Sequence, residues 1–144
     1  MKHLIAHRGN LEGPKKDQEN KPEYLNKALA MGYDVEVDIW VLNYKIYLGH
    51  DFPQYEVEED YIRSISNKAW FHCKNFGAID FLSSNLQTYN YFWHESDKFT
   101  LTSKGFIWTY PGEETSSKSV IVDLSTEVKQ RNYSCYAVCA DYII

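Results

Sequence analysis

No apolar run in this 144-residue chain approaches the length of a membrane span, so no integral membrane segment is expected. A leader-like stretch is missing too: Met1-Lys2-His3-Leu4 passes straight into a short apolar run, and a cytoplasmic location is the expectation. Clusters of Lys or Arg are also absent. With a net charge of -5, this argues against nucleic acid or an anionic membrane as the main partner, and any positive charge that meets a ligand must be local. Cysteines are few and odd in number, at Cys73, Cys135 and Cys139, without a C-x-x-C pair, which excludes a disulfide framework or a zinc ribbon. Each reads as a small buried hydrophobe, and Cys73, alternating with His72 and Lys74, should face the opposite side of its strand. No linker, repeat or low-complexity segment interrupts the chain. Residues 1–144 therefore read as a single domain, and 44% hydrophobic and 16% aromatic content is enough for a real core.

What is present is concentrated in the first third. His7-Arg8-Gly9, Glu36-Val37-Asp38 and Gly49-His50-Asp51 supply two histidines and a carboxylate pair, each on or after a short apolar run of β type. Glu36 and Asp38 are two apart, so on a strand both side chains share one face, close enough to hold one cation, while Val37 points away. His7 and His50 form a natural acid/base pair, because imidazole titrates nearest neutrality. Arg8 offers a planar fork of donors suited to phosphate oxygens. A phosphodiester repels nucleophiles. Its hydrolysis calls for a hard cation on the non-bridging oxygens, a base for the attacking oxygen and an acid for the leaving one. Taken singly, an E-x-D on a strand is more often a solvated face or an ion pair than a metal site; the arrangement carries the signal.

The rest of the chain reads as alternating elements. Strands are expected at Leu4–His7, Asp34–Val41, Ile46–Gly49 and Ala69–Lys74, with helices after Asn20, around Val57–Ser66 and around Phe76–Ser84. Asn20 is read as the cap of a helix carrying Pro22 in its first turn and ending at Gly32. Short aromatic and β-branched strands follow at Tyr89–Trp93, Phe99–Thr102, Phe106–Tyr110, Val120–Leu124 and Tyr136–Ile144, with a weak helical signal near Thr126–Arg131. The polar loop Gly9–Asn20 lies where it can fold over the site. Trp108 and Tyr110 are candidates for stacking on a sugar, although core packing is the commoner role of strand aromatics.

Ile5-Ala6-His7-Arg8-Gly9, Gln18-Glu19-Asn20, Gly32-Tyr33-Asp34-Val35-Glu36-Val37-Asp38 and Gly49-His50-Asp51, in that order and spacing, resemble the glycerophosphodiester phosphodiesterase family of the phosphatidylinositol-phospholipase-C-like barrels. The likeness is dense from Leu4 to Asp51 and thinner at Trp70-Phe71-His72-Cys73-Lys74 and Ala140-Asp141-Tyr142. The resemblance implies a metal-binding phosphodiesterase, a hydrolase of lipid metabolism. By resemblance His7 and His50 are the catalytic pair, Glu36 and Asp38 bind the metal with Glu19 nearby, and Arg8 and Lys74 meet the substrate phosphate. His72 departs from the pattern, because it stands where the family usually has an acidic ligand. A histidine there can still ligate. Mg²⁺ or Ca²⁺ is the expected cofactor, with Mn²⁺ or Zn²⁺ favoured if His72 ligates. The expected function is a phosphoric diester hydrolase acting on a small-molecule glycerol- or sugar-linked phosphodiester. Two alternatives stand beside it: a catalytically silent barrel that binds phosphate esters or sugar phosphates, and a small α/β interaction protein whose site residues are ordinary ion pairs.

The implied fold is α/β, a TIM-type (β/α)₈ barrel. Such barrels take about 250 residues, so this one must be pared down, with several outer helices missing or shortened. His7, Glu36, Asp38, His50, His72 and His94 would ring its mouth at strand C-termini. Bare wall at Trp93 and Trp108 would then favour a homo-oligomer.

Overall fold

The alternation along Asp34–Leu42 organises the molecule. Val35, Val37 and Ile39 are fully buried on one face, while Asp34, Glu36 and Asp38 are buried on the other. The computed structural model describes residues 3–85 and 88–144. In chain order the elements are β1 (His3–His7), α1 (Pro22–Ala30), β2 (Asp34–Leu42), β3 (Lys45–Leu48), β4 (Tyr55–Val57), α2 (Glu59–Ile65), β5 (Ala69–Cys73) and α3 (Phe76–Ser83). There follow β6 (Asn90–Phe92), β7 (Phe99–Leu101), β8 (Ile107–Thr109), β9 (Ser119–Asp123), a 3₁₀ turn at Val128–Gln130 and β10 (Ala137–Ala140). Among the described residues, no helix is long and apolar enough to cross a membrane.

Around the sheet, β6, β5, β2, β1, β10, β9 and β8 run parallel, with β7 antiparallel at the edge beside β8. β2 outruns β1. Its first residues pair with β1 and its last ones with β3, which turns back through Asn43 and Tyr44, both at positive φ, and pairs in turn with β4. The outer face is covered by Leu25 and Ala28 of α1, Ile62 and Ile65 of α2 and Ala78 and Leu82 of α3, packed with Val35, Val37, Ile39, Phe71 and Cys73. Pro22 opens α1, where its missing N–H costs nothing, and Gly32 at φ +93° ends it. Cys73 and Cys139 are buried, and burial pushes the Cys73 thiol up to about 12, so it is inert as a nucleophile.

The expected (β/α)₈ barrel, pared down or otherwise, does not form. Ten strands and three α-helices, among the described residues, make a curled half-barrel in which most later strands are joined by turns. The cause lies in the connections. Residues 110–118 leave no room for a crossover helix, residues 124–136 lack an apolar stripe and form only the 3₁₀ turn, and β7 doubles back on β8. No described backbone ladder joins β6 to β8. Side chains fill that gap: Phe92 stacks on Trp108 with ring centroids 4.3 Å apart, and Trp70 meets Trp108 at 6.0 Å. With Ile5, Val120, Ala137 and Cys139 they form the inner core. Trp108, expected as bare wall, is therefore buried, whereas Trp93 is exposed.

Trp108 holds the two margins of the curl together across strands that share no hydrogen bonds. Trp108→Ala is expected to cost about 3–5 kcal/mol in urea unfolding, the range for a large buried aromatic. A change below about 1 kcal/mol would mean that the inner ring stack contributes little.

Candidate functional site

At the C-terminal ends of β1, β2 and β5 the inner face turns from apolar to ionic. His7 ends β1 and is in register with Glu36; Asp38 is in register with His72 of β5. In-register residues of parallel strands point the same way, so these four side chains converge. His50 enters from the turn after β3. There Gly49, at φ +153°, donates its N–H to the Asp38 carbonyl, and a Cβ on it would stand 2.3 Å from the Phe52 carbonyl oxygen. Arg8 and Gly9 both take left-handed backbone, folding the chain back immediately after His7. The Arg8 amide then donates to Glu36, through both its carbonyl and Oε1.

Glu36, Asp38 and His72 each offer a ligand atom, all within 4.8 Å of one another. His72 Nδ1 lies 3.2 Å from Asp38 Oδ1 and 3.5 Å from Glu36 Oε2. Its other nitrogen, Nε2, donates to the His94 carbonyl at 2.8 Å. That contact fixes the tautomer: in the neutral ring the lone pair sits on Nδ1, facing both carboxylates. Asp38 Oδ1 is buried and accepts no hydrogen bond, whereas Asp38 Oδ2 receives Asn20 Nδ2 at 2.9 Å. Asn20 Oδ1 in turn accepts the Asp38 amide at 3.0 Å. A fully buried carboxylate oxygen with no well-aligned hydrogen bond, 3.2 Å from an imidazole nitrogen that offers a lone pair once deprotonated and close to a second carboxylate, suits a divalent cation.

The charge balance points the same way. Glu19, Glu36, Asp38 and Asp141 are all buried here, and Arg8 is the one Lys or Arg in ion-pair contact with them among the described residues. Four carboxylates against one guanidinium leave an excess of three negative charges. In the metal-free protein, protons on the histidines offset part of it. Burial opposes protonation of His72, but Asp38 and Glu36 overcome it and push the ring up to about 9. Burial likewise opposes charge on His7, which Asp141 and Glu36 raise. Asp38 is held well below the usual carboxylate range, its burial outweighed by the imidazoles of His50 and His72 and by Arg8.

The two histidines expected to move protons are held differently. His7 Nδ1 donates to Asp141 Oδ1 at 2.8 Å, which turns Nε2 inward to 4.0 Å from Glu36. His50 Nε2 accepts from Arg8 Nη2 at 3.1 Å, so its proton sits on Nδ1, 3.4 Å from Asp38 Oδ2. Glu19 lies outside the triad. Its oxygens take Arg8 Nη1, Asn10 Nδ2 and the Lys15 amide, so it holds Arg8 rather than facing Nδ1 of His72. Lys74 follows His72 by two and closes the ladder with its amide on the Ile39 carbonyl; its side chain makes no ion pair among the described residues. The Gly9–Asn20 loop packs beside the site through Asn10, Glu19 and Asn20. Arg8, Lys16, Glu19 and Asn20 with His50, Asp51 and Gln54 line a cavity of about 250 Å³. A larger one of about 780 Å³, by Val41, Tyr44, Glu56 and Phe81, carries no histidine and lies apart from this chemistry.

Sequence reading misassigned one residue and missed three. Asn20 does not cap α1, whose cap is Lys21; at φ +68° it turns its amide onto Asp38. Asp141, Asn10 and Tyr24 form a chain behind His7: Tyr24 donates to Asn10, which donates to Asp141. Asp141 carried a usable signal, a carboxylate directly after the apolar run Ala137–Ala140, the same pattern that marked His7 and His50. His94 contributes its backbone carbonyl, while its ring Nε2 meets the Asp97 carbonyl. Set against protein-family models, curated proteins and solved structures, the chain matches none.

Two outcomes follow from this geometry. Asn20→Ala strands the Asp38 amide and removes the nearest donor to Oδ2, and should cost about 2–4 kcal/mol in denaturant unfolding and weaken divalent-ion binding about 10–100-fold by calorimetry. Unchanged ion affinity would show that Asn20 does not orient Asp38 for a metal. The second outcome concerns pH. A histidine pushed up to about 9 from 6.5 contributes stability that is complete below pH 6.5 and lost as pH rises through about 9, and His7 acts in the same sense. In chelator, urea unfolding should therefore show lower stability at pH 9.5 than at pH 6. An equal or higher value would contradict the proton-balanced cluster.

Proposed function

We propose that this protein is a metal-dependent phosphoric diester hydrolase acting on a glycerol- or sugar-linked phosphodiester. One observation carries the reading: a three-residue ligand set that includes the buried oxygen Asp38 Oδ1, which has no well-aligned hydrogen bond, is flanked by His7, held at Nδ1 by Asp141, and by His50, which meets Arg8 through Nε2. The order of motifs that resembles the glycerophosphodiester phosphodiesterases supports it, and the site does not depend on a closed barrel. Glu36, Asp38 and His72 would hold the cation. Bound there, a divalent ion supplies positive charge to the non-bridging phosphate oxygens as charge builds on them.

The chain's own groups do the rest. Asp141 holds the Nδ1 proton of His7, so Nε2 presents its lone pair, and the carboxylate stabilises the imidazolium formed when His7 takes a proton from the attacking oxygen. That oxygen, from water or from a neighbouring substrate hydroxyl, forms the new bond to phosphorus as the bond to the leaving alkoxide breaks. His50 is the group left to protonate that alkoxide, which it does as the imidazolium, after its Nε2 has taken up a proton from water once Arg8 has moved aside. Arg8 sits between Glu19 and His50; an anionic substrate that draws the guanidinium away frees His50 Nε2. Lys16 lines the same cavity and is the nearer source of further positive charge; Lys74, which follows His72 by two just past β5, would be the other. The free, buried thiols of Cys73 and Cys139 support a reducing, cytoplasmic setting.

The Arg8 contact to His50 also favours a second reading, a silent phosphate-ester binder in which that nitrogen stays occupied. Hydrolysis of bis(p-nitrophenyl) phosphate separates the two. The metal-loaded protein should release nitrophenolate, excess chelator should abolish it, and His50→Ala should lower kcat roughly 10²–10⁴-fold. Release that is indifferent to chelator and to His50→Ala would sink the mechanism, and ligand binding without turnover would establish the binder.

A further inference from the structure

The metal reading leaves open which ion the site takes, and three features of His72 bear on that choice. First, the imidazole is held in one place: its ring stacks on Phe92 with centroids 5.1 Å apart and planes 17° from parallel, and Phe92 is stacked in turn on Trp108. Second, its tautomer is set by the Nε2 contact to the His94 carbonyl, which leaves Nδ1 aimed at Glu36 and Asp38. Third, the neighbouring carboxylates that could complete an all-oxygen shell are engaged elsewhere. Asp141 accepts from His7 and Asn10, and Glu19 accepts from Arg8 and Asn10.

We infer that the site selects a nitrogen-accepting transition ion, of the Co²⁺ or Zn²⁺ class, over Mg²⁺ and Ca²⁺. This rests on the metal reading above and adds the identity class of the ion. Calcium takes six to eight oxygen ligands, and magnesium an octahedron of oxygens; neither gains from an imidazole nitrogen fixed in its shell. Two carboxylates and one oriented imidazole, with positions left open for substrate, match the ligand set that borderline ions favour. Stacking and the carbonyl contact prevent the ring from turning away to let a third oxygen in. The selectivity thus resides in Phe92 and the His94 carbonyl as much as in the ligating atom.

The test reads binding, not turnover. Chelator-stripped protein is titrated with MgCl₂, CaCl₂, MnCl₂, CoCl₂ and ZnCl₂ by calorimetry, and the Mn²⁺-loaded protein is examined by pulsed electron paramagnetic resonance for coupling to a directly bound ¹⁴N. Co²⁺ and Zn²⁺ should bind about 100-fold more tightly than Mg²⁺ or Ca²⁺, with Mn²⁺ between. The nitrogen coupling should be present in the native protein and absent from His72→Asp, in which the preference should shift back toward Mg²⁺ and Ca²⁺. Equal or tighter binding of Mg²⁺ or Ca²⁺ by the native protein, or absence of nitrogen coupling in it, overturns the inference without requiring any variant to fold. Binding of none of the five ions overturns both this inference and the metal-dependent reading. Selective binding with no hydrolysis of the aryl diester leaves the inference standing and removes the hydrolase.

Discussion

Placing Glu36 and Asp38 on the buried face of β2 is the constraint around which the rest of the molecule is arranged. Two ionised carboxylates out of water are costly unless donors and positive charge meet them. Nearly every polar feature near the mouth of the sheet answers that demand. Asn20 turns its amide onto Asp38, Arg8 brings its backbone N–H to Glu36 and its guanidinium beside Asp38, and His72 and His50 approach from opposite sides. Even so, Asp38 Oδ1 is left without a donor and the cluster keeps an excess of negative charge. That remaining oxygen and the uncompensated charge are what the proposed cation would meet.

The backbone carries part of the same constraint. Arg8 and Asn20 are non-glycine residues at φ +55° and +68°, a conformation that costs free energy and persists where surrounding contacts impose it. The two are bonded to each other, Asn20 N–H to the Arg8 carbonyl, and each reaches β2. Strained backbone at both ends of the Gly9–Asn20 loop thus coincides with the residues that address the carboxylates. The loop is tied down at its middle too: Gly13 donates to the Asp141 carbonyl, and Leu11 accepts from Ile143 and Ile144. Those bonds join the β1 turn to the segment after β10, so the Asp141 that holds His7 is fixed by the same loop that carries Glu19 and Asn20.

Which parts of this could be read from sequence follows from the range of the interactions involved. The carboxylate pair was legible because a period of two is a local property of a strand, and so was the facing of Val37 and Cys73. Most elements were legible for the same reason, since apolar patterning and the Pro22 and Gly32 signals act within a few residues; β4, only Tyr55–Val57, was too short and polar to register. Asn20 was misread because a polar residue before a proline-led helix is locally a cap, whereas its actual partner is eighteen residues away. The pairing of His7 with Asp141 spans 134 residues and has no local signature. Closure of the fold failed to show for a related reason. Whether parallel strands form a ring depends on the connections between them, and the later connections proved too short or too polar to make helices.

A half-barrel suffices here because the site draws on one side of the curl. His7, Glu36, Asp38, His50, His72 and Asp141 come from β1, β2, β5 and the chain just past β3 and β10, which are neighbours in the sheet. The helices α1, α2 and α3 cover the outer face of that side, giving its strands the rigidity that convergent side chains require. The remaining strands contribute at one remove. Phe92 of β6 and Trp108 of β8 stack beneath His72, so the aromatic bridge across the open margin also fixes the imidazole that completes the ligand set. The absence of outer helices on the later strands therefore leaves the cluster of site residues intact, provided that bridge is kept. In this fold the inner aromatic core, together with the bonds of Ser103 to the Tyr91 backbone, connects the open side of the sheet to the site.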